Sequence, residues 1–124
     1  MPKVIADANY VLRWFLNDVP DQSAIVEKLL TTSVDNHIYL DRITIAEITY
    51  VLRSKGYDHK QVAVVVAEFC RHTSVNPLPE VDAEALSLYG ESSLDFEDCW
   101  LATYGKENKV KIATFDKKLL SLSS

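Results

Sequence analysis

The chain has 124 residues, of which 48% are hydrophobic and 25% are charged, with only three Gly and four Pro. This length is typical of a single domain spanning residues 1–124, and the composition excludes a disordered, collagen-like or disulfide-stabilised chain. The net charge of −5 argues at first against a nucleic-acid partner. If four acids belong to one site, the remaining sequence has 13 basic and 14 acidic residues. The acidity is then local, and the net charge does not exclude a nucleic-acid partner.

Membrane and disulfide chemistry are not expected. The longest apolar run, QVAVVVAEFC, is well short of the roughly 20 residues that span a bilayer. No basic-then-apolar leader opens the sequence, so a cytoplasmic protein with no membrane association is expected. Cys70 and Cys99 lie in apolar helical patterns without CxxC spacing, which favours buried thiols over a zinc site or a disulfide.

The first half of the chain alternates between strand-like and helix-like patterns. KVIAD predicts a buried strand at 3–6, and NYVLRWFLN predicts a helix at 9–16. A second helix is predicted at 21–32, beginning with the capping-type acid Asp21. HIYLD predicts a strand at 37–41, and the apolar spacing of ITIAEITYVLRSKG predicts a helix directly after it.

The second half continues this alternation. Asp58 and Gln61 open a helix over the valine-rich VAVVVAEFC, whose flanks favour helix over strand. SVNPLPEV is a connector with room for a short strand, and helices follow at 80–91 and 95–106. VKIATFD predicts a strand at 110–113, and KKLLSL predicts a last helical turn. Strands separated by helices predict an α/β fold with a parallel sheet, in which ligands bind beyond the carboxyl ends of the strands.

Four acids are placed for such a site, three of them after the carboxyl end of a strand: Asp7, Glu47, Asp98 and Asp116. Taken singly, each is more simply explained as a helix cap or a turn residue. Thr44 and Glu47 have the spacing of a capping box, and Asp95 is placed to cap the helix that contains Asp98. A cap at Asp95 leaves Asp98 as a surplus charge beside an apolar face, which protons or a cation must neutralise.

The residue types at these positions indicate the chemistry. Carboxylates without histidine or thiol ligands select a hard cation, Mg²⁺ or Mn²⁺, over zinc. One or two such ions, roughly 4 Å apart, would orient a water and stabilise the leaving oxygen of a phosphodiester displacement, which is nuclease chemistry. An aspartyl-phosphate enzyme using Asp7 is a weaker alternative, because the residue two positions on is Asn9 rather than an acid and no matched lysine is evident.

Four segments resemble the PIN-domain ribonucleases, especially the toxins of VapBC-type toxin–antitoxin pairs: IADANYVL at 5–12, TIAEITYVL at 44–52, LDFEDCWLA at 94–102 and IATFDKKL at 112–119. They follow the family order and spacing over almost the whole chain. The resemblance implies a PIN-like three-layer α/β/α fold, with a central, mainly parallel sheet flanked by helices, and a Mg²⁺- or Mn²⁺-dependent endoribonuclease. It assigns catalysis and metal binding to four acids: Asp7, Glu47, Asp98 and Asp116.

The resemblance gives supporting roles to three further residues. Asn9 falls on the polar neighbour of the first acid, Thr114 falls on the small hydroxyl residue before the last acid, and Asp95 falls on a less regular position. We therefore expect Asp95 to cap its helix, Asp98 to bind metal and Glu97 to be a solvated surface charge.

The resemblance also implies partners, namely an RNA substrate, an antitoxin protein that covers the cleft, and a second copy in a homodimer. Family members usually add a strand after the TFD helix, whereas this sequence stops at Ser124. We therefore expect the sheet to lack an edge strand or to be covered by a second subunit. The alternative function is a catalytically silent PIN-like binding module, whose acids cap helices or bind a basic peptide.

No residue is assigned to base recognition. The basic residues nearest the proposed site in sequence are Arg13, Arg53, Lys55, Lys117 and Lys118. Each is more simply explained as surface or helix-end charge. Trp14, Tyr50 and Trp100 are candidates for stacking on bases, but their helical spacing favours packing in the core.

Overall fold

The computed structural model describes residues 3–123, which form two short strands and seven helices. In chain order the elements are β1 (Val4–Ile5), α1 (Ala8–Leu16), α2 (Pro20–Thr32), β2 (Ile38–Tyr39), α3 (Arg42–Ser54), α4 (His59–Cys70), α5 (Glu80–Glu91), α6 (Phe96–Asn108) and α7 (Lys117–Ser123). Each helix predicted from apolar spacing is present, with ends close to those expected. None of the helices in this range is long and apolar enough to cross a bilayer.

The sheet is small and parallel. β1 pairs with β2, with Val4 opposite Ile38 and Ile5 opposite Tyr39. On the other side of β2, Ile38 forms a parallel bridge with Val75, where the SVNPLPEV connector left room for a short strand. The predicted α/β class with parallel strands and flanking helices is therefore confirmed, although the strands are shorter than expected.

The predicted strand at 110–113 is wrong, since this segment has no strand structure. The N–H of Val110 donates a hydrogen bond to the carbonyl of Gly105 at 2.9 Å. The segment approaches α6 so closely at Gly105 that an added Cβ would lie 2.9 Å from Cδ1 of Ile112. Within this segment Ile112 packs against α6, whereas Val110 is 49% exposed. An apolar run alone does not distinguish this arrangement from a strand.

Aspartate side chains fix the starts of several helices. Asp7 caps α1 and Asp41 caps α3, each by accepting a backbone N–H three residues further on. Asp58 and Gln61 open α4 as predicted, and they form a capping box there. These bonds satisfy N–H groups that a helix leaves without an internal partner.

The caps predicted at the starts of α2 and α3 are not formed. α2 begins at Pro20, so Asp21 lies in the first turn, where its charge still favours the helix N-terminus. The capping box of Thr44 and Glu47 is absent, because Asp41 accepts the N–H of Thr44 at 2.9 Å. Glu47 lies beyond the first turn of α3, so capping does not explain its presence.

The core is built by the inward faces of the helices together with the buried Ile38 of β2. Ile45, Ile48 and Leu52 of α3 are fully buried at helical spacing, and the valine-rich α4 buries a matching face. α5 packs against both α4 and α6. Burial of this apolar surface is the main favourable term in folding. Cys99 belongs to the core and Cys70 is half-buried, and neither forms a disulfide.

Candidate active site

Asp7 and Asn9 lie at the head of α1, directly after β1. Oδ1 of Asp7 accepts the backbone N–H of Tyr10 at 3.2 Å, so this acid does cap its helix. Both side chains are exposed and line a cleft of about 300 Å³ between α1 and α2. Asp7 therefore fixes its orientation with one carboxylate oxygen, while its second oxygen has no bond to any residue that the structure describes.

Glu47 lies on the outward face of α3. Its side chain is exposed, and Ile43 and Tyr50 lie on the same face at helical spacing, also exposed. Tyr50 is 77% exposed, so the prediction that it packs in the core is wrong. Glu47 is thus a surface carboxylate on a rigid helix, next to two large exposed apolar side chains.

Asp98 lies half-buried in the first turn of α6. Asp95 occupies the N-cap position, but its side chain makes no capping hydrogen bond, so the predicted side-chain cap is not formed. Burial, and then the negative charges of Asp95, Asp116 and Glu97, raise the pKa of Asp98 above its ordinary value. Glu97 is exposed, as predicted. The surroundings of Asp98 therefore disfavour its charged form.

Asp116 begins α7 at the end of the exposed segment that follows α6. Its Oδ1 accepts the N–H groups of Lys118 at 2.8 Å and Leu119 at 3.2 Å, so Asp116 caps α7. Oγ1 of Thr114 accepts the N–H of Asp116 at 3.0 Å and fixes the turn before the helix. Leu119 is buried and anchors this short helix on the core.

The four predicted acids do not form one tight cluster. Asp116 acts electrostatically on Asp98, whereas Asp7 faces the cleft between α1 and α2 and Glu47 faces outward from α3. Among residues 3–123, no three of the four bring carboxylate oxygens within 4.8 Å of one another. The assignment of all four to a metal therefore stays a prediction.

A different group of three acids does bring its carboxylate oxygens within 4.8 Å of one another. Carboxylate oxygens of Glu80, Glu84 and Glu107 lie within 4.8 Å of one another on the exposed sides of α5 and α6. A side-chain hydrogen bond with Glu84, followed by smaller contributions from burial and from the charges of Glu84 and Glu80, raises the pKa of Glu107 to about 7. The i, i+4 spacing of Glu80 and Glu84 was visible in the sequence, but the approach of Glu107 depends on how α5 packs on α6.

Basic side chains do not neutralise the predicted acids. Within the range that the structure covers, ion pairs join Arg13 to Asp18, Arg42 to Asp82 and Arg71 to Glu68. Lys118 donates instead to Ser93 at 3.3 Å, and Arg53 donates to the carbonyl of Tyr57 at 3.0 Å. The negative charge around Asp98 is therefore not balanced by an ion pair.

Asp82 is a buried carboxylate that sequence reasoning missed. It is 2% exposed, accepts the indole N–H of Trp100 at 2.8 Å, and lies 3.5 Å from Nε of Arg42. The guanidinium of Arg42 also lies over the Trp100 ring, 4.3 Å from its centroid. The position of Asp82 on the apolar stripe of α5, with Ala85 and Tyr89, is the signal that would have identified it. These contacts join α3, α5 and α6.

Comparison with known proteins identifies one family. A family model described as "PIN domain" matches residues 4–123, nearly the whole chain. Neither the curated proteins nor the solved structures contain a match. PIN domains are generally nucleases, and the small parallel sheet with its surrounding helices is consistent with their fold.

Proposed function

The chain belongs to the PIN-domain family, and we propose that it is a Mg²⁺- or Mn²⁺-dependent endoribonuclease that hydrolyses phosphodiester bonds in RNA. The residues proposed to act are Asp7, Glu47, Asp98 and Asp116. The observation that carries the proposal is the concentration of carboxylates around the half-buried Asp98, with no described basic side chain in an ion pair with them.

The donor set around Asp98 fits a hard divalent cation. Asp95, Glu97 and Asp116 all act on Asp98 through negative charge, and carboxylate oxygens are the ligands that Mg²⁺ and Mn²⁺ prefer. A half-buried carboxylate among like charges is costly unless it is neutralised. Asp98 and Asp116 would hold one or two ions, with Asp7 and Glu47 completing the set. A bound ion would supply charge neutralisation for the attack of a water on the RNA phosphate.

The contribution of the chain itself is to orient these acids. The N–H of Tyr10 holds one oxygen of Asp7, and the N–H groups at the start of α7 hold one oxygen of Asp116. The hydroxyl of Thr114 fixes the backbone of Asp116. Asn9 presents an amide beside Asp7 in the same cleft, where it would bind a substrate oxygen. Preorganised groups of this kind cost little reorganisation when substrate arrives.

We also propose that the protein is the toxin of a toxin–antitoxin pair and forms a homodimer. Large apolar side chains with exposed surfaces support an interaction surface: Ile5, Ile43, Tyr50 and Phe115. The test is sedimentation of the purified protein, alone and with its co-expressed antitoxin. A dimer that dissociates in Tyr50→Asp or Phe115→Asp would support this, and a monomer at all concentrations would contradict the homodimer.

Cleavage of RNA tests the enzymatic proposal. The purified protein is incubated with a mixed, structured RNA pool in Mn²⁺, in Mg²⁺ and in EDTA, in parallel with Asp7→Asn. We expect fragments with either ion, and none with EDTA or with the variant. Cleavage that persists in EDTA would contradict the metal-dependent mechanism.

A catalytically silent PIN-like binding module is the second candidate. The capping bonds of Asp7 and Asp116 favour it, because these bonds give both acids a structural role without catalysis. RNA or peptide binding without any cleavage, in every metal, would support this candidate over the nuclease.

A further inference from the structure

The cleft that Asp7 lines also contains side chains to which the proposed metal site gives no role. It lies between α1 and the first half of α2 and has a volume of about 300 Å³. Its lining residues are Asp7, Asn9, Tyr10, Arg13, Gln22, Ile25 and Val26. The volume is at the lower end of the range of small-molecule pockets, about 300–1,000 Å³, so the cleft suits one flat ring rather than a large ligand.

The cleft is preformed, because α1 and α2 are tied together beside it. Oγ of Ser23 donates to the carbonyl of Arg13 at 2.8 Å, and Nη1 of Arg13 donates to Asp18 at 2.7 Å. Asn17 ends α1 in the left-handed conformation, with φ 51°, and sets the turn into α2. Val26 is buried at the base of the cleft. A ligand would therefore meet walls that are already in place.

The lining combines apolar surface with unused hydrogen-bonding groups. Tyr10 is 37% exposed and Ile25 is 58% exposed, so both offer surface on which a planar ring can stack. Neither the amide of Asn9 nor that of Gln22 has a hydrogen-bond partner in the part of the chain that the structure describes. Each amide offers donors and an acceptor, which matches the mixed edge of a nucleobase.

Arg13 places a cation at the wall of the cleft. Its Nη1 donates to Oδ1 of Asp18 at 2.7 Å, and this hydrogen bond lowers the pKa of Asp18. The other guanidinium N–H groups of Arg13 have no bond to any residue in the described range. They remain available to a phosphate oxygen.

We propose that this cleft binds a nucleobase of the RNA next to the scissile phosphate, with the ring stacked on Tyr10 and its edge read by Gln22. The inference rests on the proposed ribonuclease function and adds base selection to it. A nucleobase is favoured over a peptide side chain because the cleft joins a flat aromatic surface, two amides and a cation, all beside a proposed catalytic acid.

The test is binding of short RNA homopolymers in EDTA, which prevents metal-dependent cleavage. Labelled oligo-A, oligo-C and oligo-U are titrated with protein, and fluorescence anisotropy gives the Kd. Because stacking on one aromatic side chain contributes strongly to single-strand binding, Tyr10→Ala should weaken binding about tenfold. Gln22→Ala should reduce the ratio of the Kd of the weakest-binding oligomer to the Kd of the tightest-binding one.

Matched variants separate the cleft from the rest of the surface. Tyr10→Phe keeps the ring and should bind as the wild type does. Ile25→Ala removes apolar surface from the cleft and should weaken binding of every oligomer. Val34 is 56% exposed and lies outside the cleft, so Val34→Ala is the matched control. Asn108→Ala removes an amide at the end of α6 and is the control for Gln22→Ala. Melting temperatures of all variants confirm that each is folded.

The outcomes distinguish this inference from the proposed function. If Tyr10→Ala and Gln22→Ala bind every oligomer as the wild type does while the wild type cleaves the RNA pool, base binding in this cleft is overturned and the ribonuclease stands. If the wild type neither binds nor cleaves RNA, both proposals fail. If the cleft variants lose only a protein partner, the cleft belongs to that partner and the base assignment is overturned.

Discussion

The indole N–H of Trp100 donates a 2.8 Å hydrogen bond to Asp82, a carboxylate that is almost completely buried. Arg42 completes the arrangement with Nε 3.5 Å from the carboxylate and its guanidinium over the indole ring. Removing Asp82 would leave the indole N–H of Trp100 without its acceptor, whereas the guanidinium of Arg42 is half exposed and can be solvated. The arrangement therefore makes the packing of α3, α5 and α6 sensitive to a single side chain.

Asp82→Ala should lower the free energy of unfolding by about 2–3 kcal/mol, because it leaves the Trp100 N–H without its acceptor and Arg42 without its anion. Asp82→Asn keeps an acceptor for Trp100 and should cost about half as much. Urea denaturation followed by tryptophan fluorescence measures both. Equal losses for the two variants would show that the hydrogen bond to Trp100 contributes little.

Asp98→Asn should raise the melting temperature of the metal-free protein. The pKa of Asp98 is raised in the folded state, so the stability associated with its protonated form is lost as pH rises, and the charged form is disfavoured at neutral pH. Removing the charge at pH 7.5 should raise Tm by about 1–3 °C. Mg²⁺ or Mn²⁺ should raise the Tm of the wild type but not that of the variant, since only the wild type gains ligand-binding energy.

Differential scanning fluorimetry with and without each ion checks this prediction. Asp21→Asn is a suitable control, because Asp21 is also an acid in the first turn of a helix but lies outside the proposed site. A wild-type melting curve that does not respond to either ion would count against the metal site.

Asp7→Asn should abolish RNA cleavage while leaving stability nearly unchanged. Asn and Asp are comparable N-caps, so the bond to the N–H of Tyr10 is retained. Loss of a carboxylate from a metal site should lower the cleavage rate by about a hundredfold or more. Initial rates and melting temperatures of the same preparations separate the two effects. Normal activity in Asp7→Asn would leave this acid with a capping role only.

The raised pKa of Glu107, caused first by its hydrogen bond with Glu84, predicts a pH-dependent stability. Because the pKa of Glu107 is raised to about 7, its stabilising contribution is present below its ordinary value near pH 4.5 and is lost as pH rises through about 7. Glu107→Gln stays neutral at every pH, so its Tm relative to the wild type should increase between pH 5 and pH 8.

Thermal melts of both proteins across this range test the prediction, with Glu91→Gln as the control. Glu91 lies in α5 but outside the cluster. Parallel pH profiles for the wild type and Glu107→Gln would show that the pKa of Glu107 is not raised.

Gly105→Ala should destabilise the protein and loosen the segment after α6. An added Cβ would lie 2.8 Å from the carbonyl oxygen of Val110 and 2.9 Å from Cδ1 of Ile112. Because a backbone atom is one of the two, the clash cannot be relieved by a rotamer change alone, and a loss of about 1–3 kcal/mol is expected. Chemical denaturation measures the loss. Ile112→Val in the same background should recover only part of it.

Local signals in the sequence predicted the helices well. The buried spacing of Ile45, Ile48 and Leu52 and the capping box of Asp58 with Gln61 are properties of a few neighbouring residues. The strand expected at 110–113 failed because its conformation depends on the space beside Gly105, which is a tertiary contact. An apolar run in a sequence does not show which other element the segment packs against.

The candidate site was predictable only in part, for the same reason. The surplus charge of Asp98 follows from its position beside an apolar face, and its raised pKa agrees with that reasoning. The placement of Gln22 beside Asp7 depends on how α2 crosses α1, and the burial of Asp82 depends on Trp100 and Arg42. Residues that are distant in sequence come into contact only when the helices pack together. The apolar periodicity of the sequence does not show which helices pack against each other.

The order in which the chain folds follows from which elements touch. Extensive helix contacts join neighbours along the sequence, such as α4 with α5, α5 with α6, and α6 with α7. Structures rich in contacts between sequence neighbours fold quickly. β1 is different, because its Val4 pairs with Ile38 of β2, which is distant in sequence and is synthesised later. During synthesis, β1 before Asp7 therefore gains its strand partner only after α1 and α2 have been translated, and Asp98 and Asp116 follow later still. A growing chain accordingly carries no complete set of the proposed catalytic acids until Asp116 has been translated.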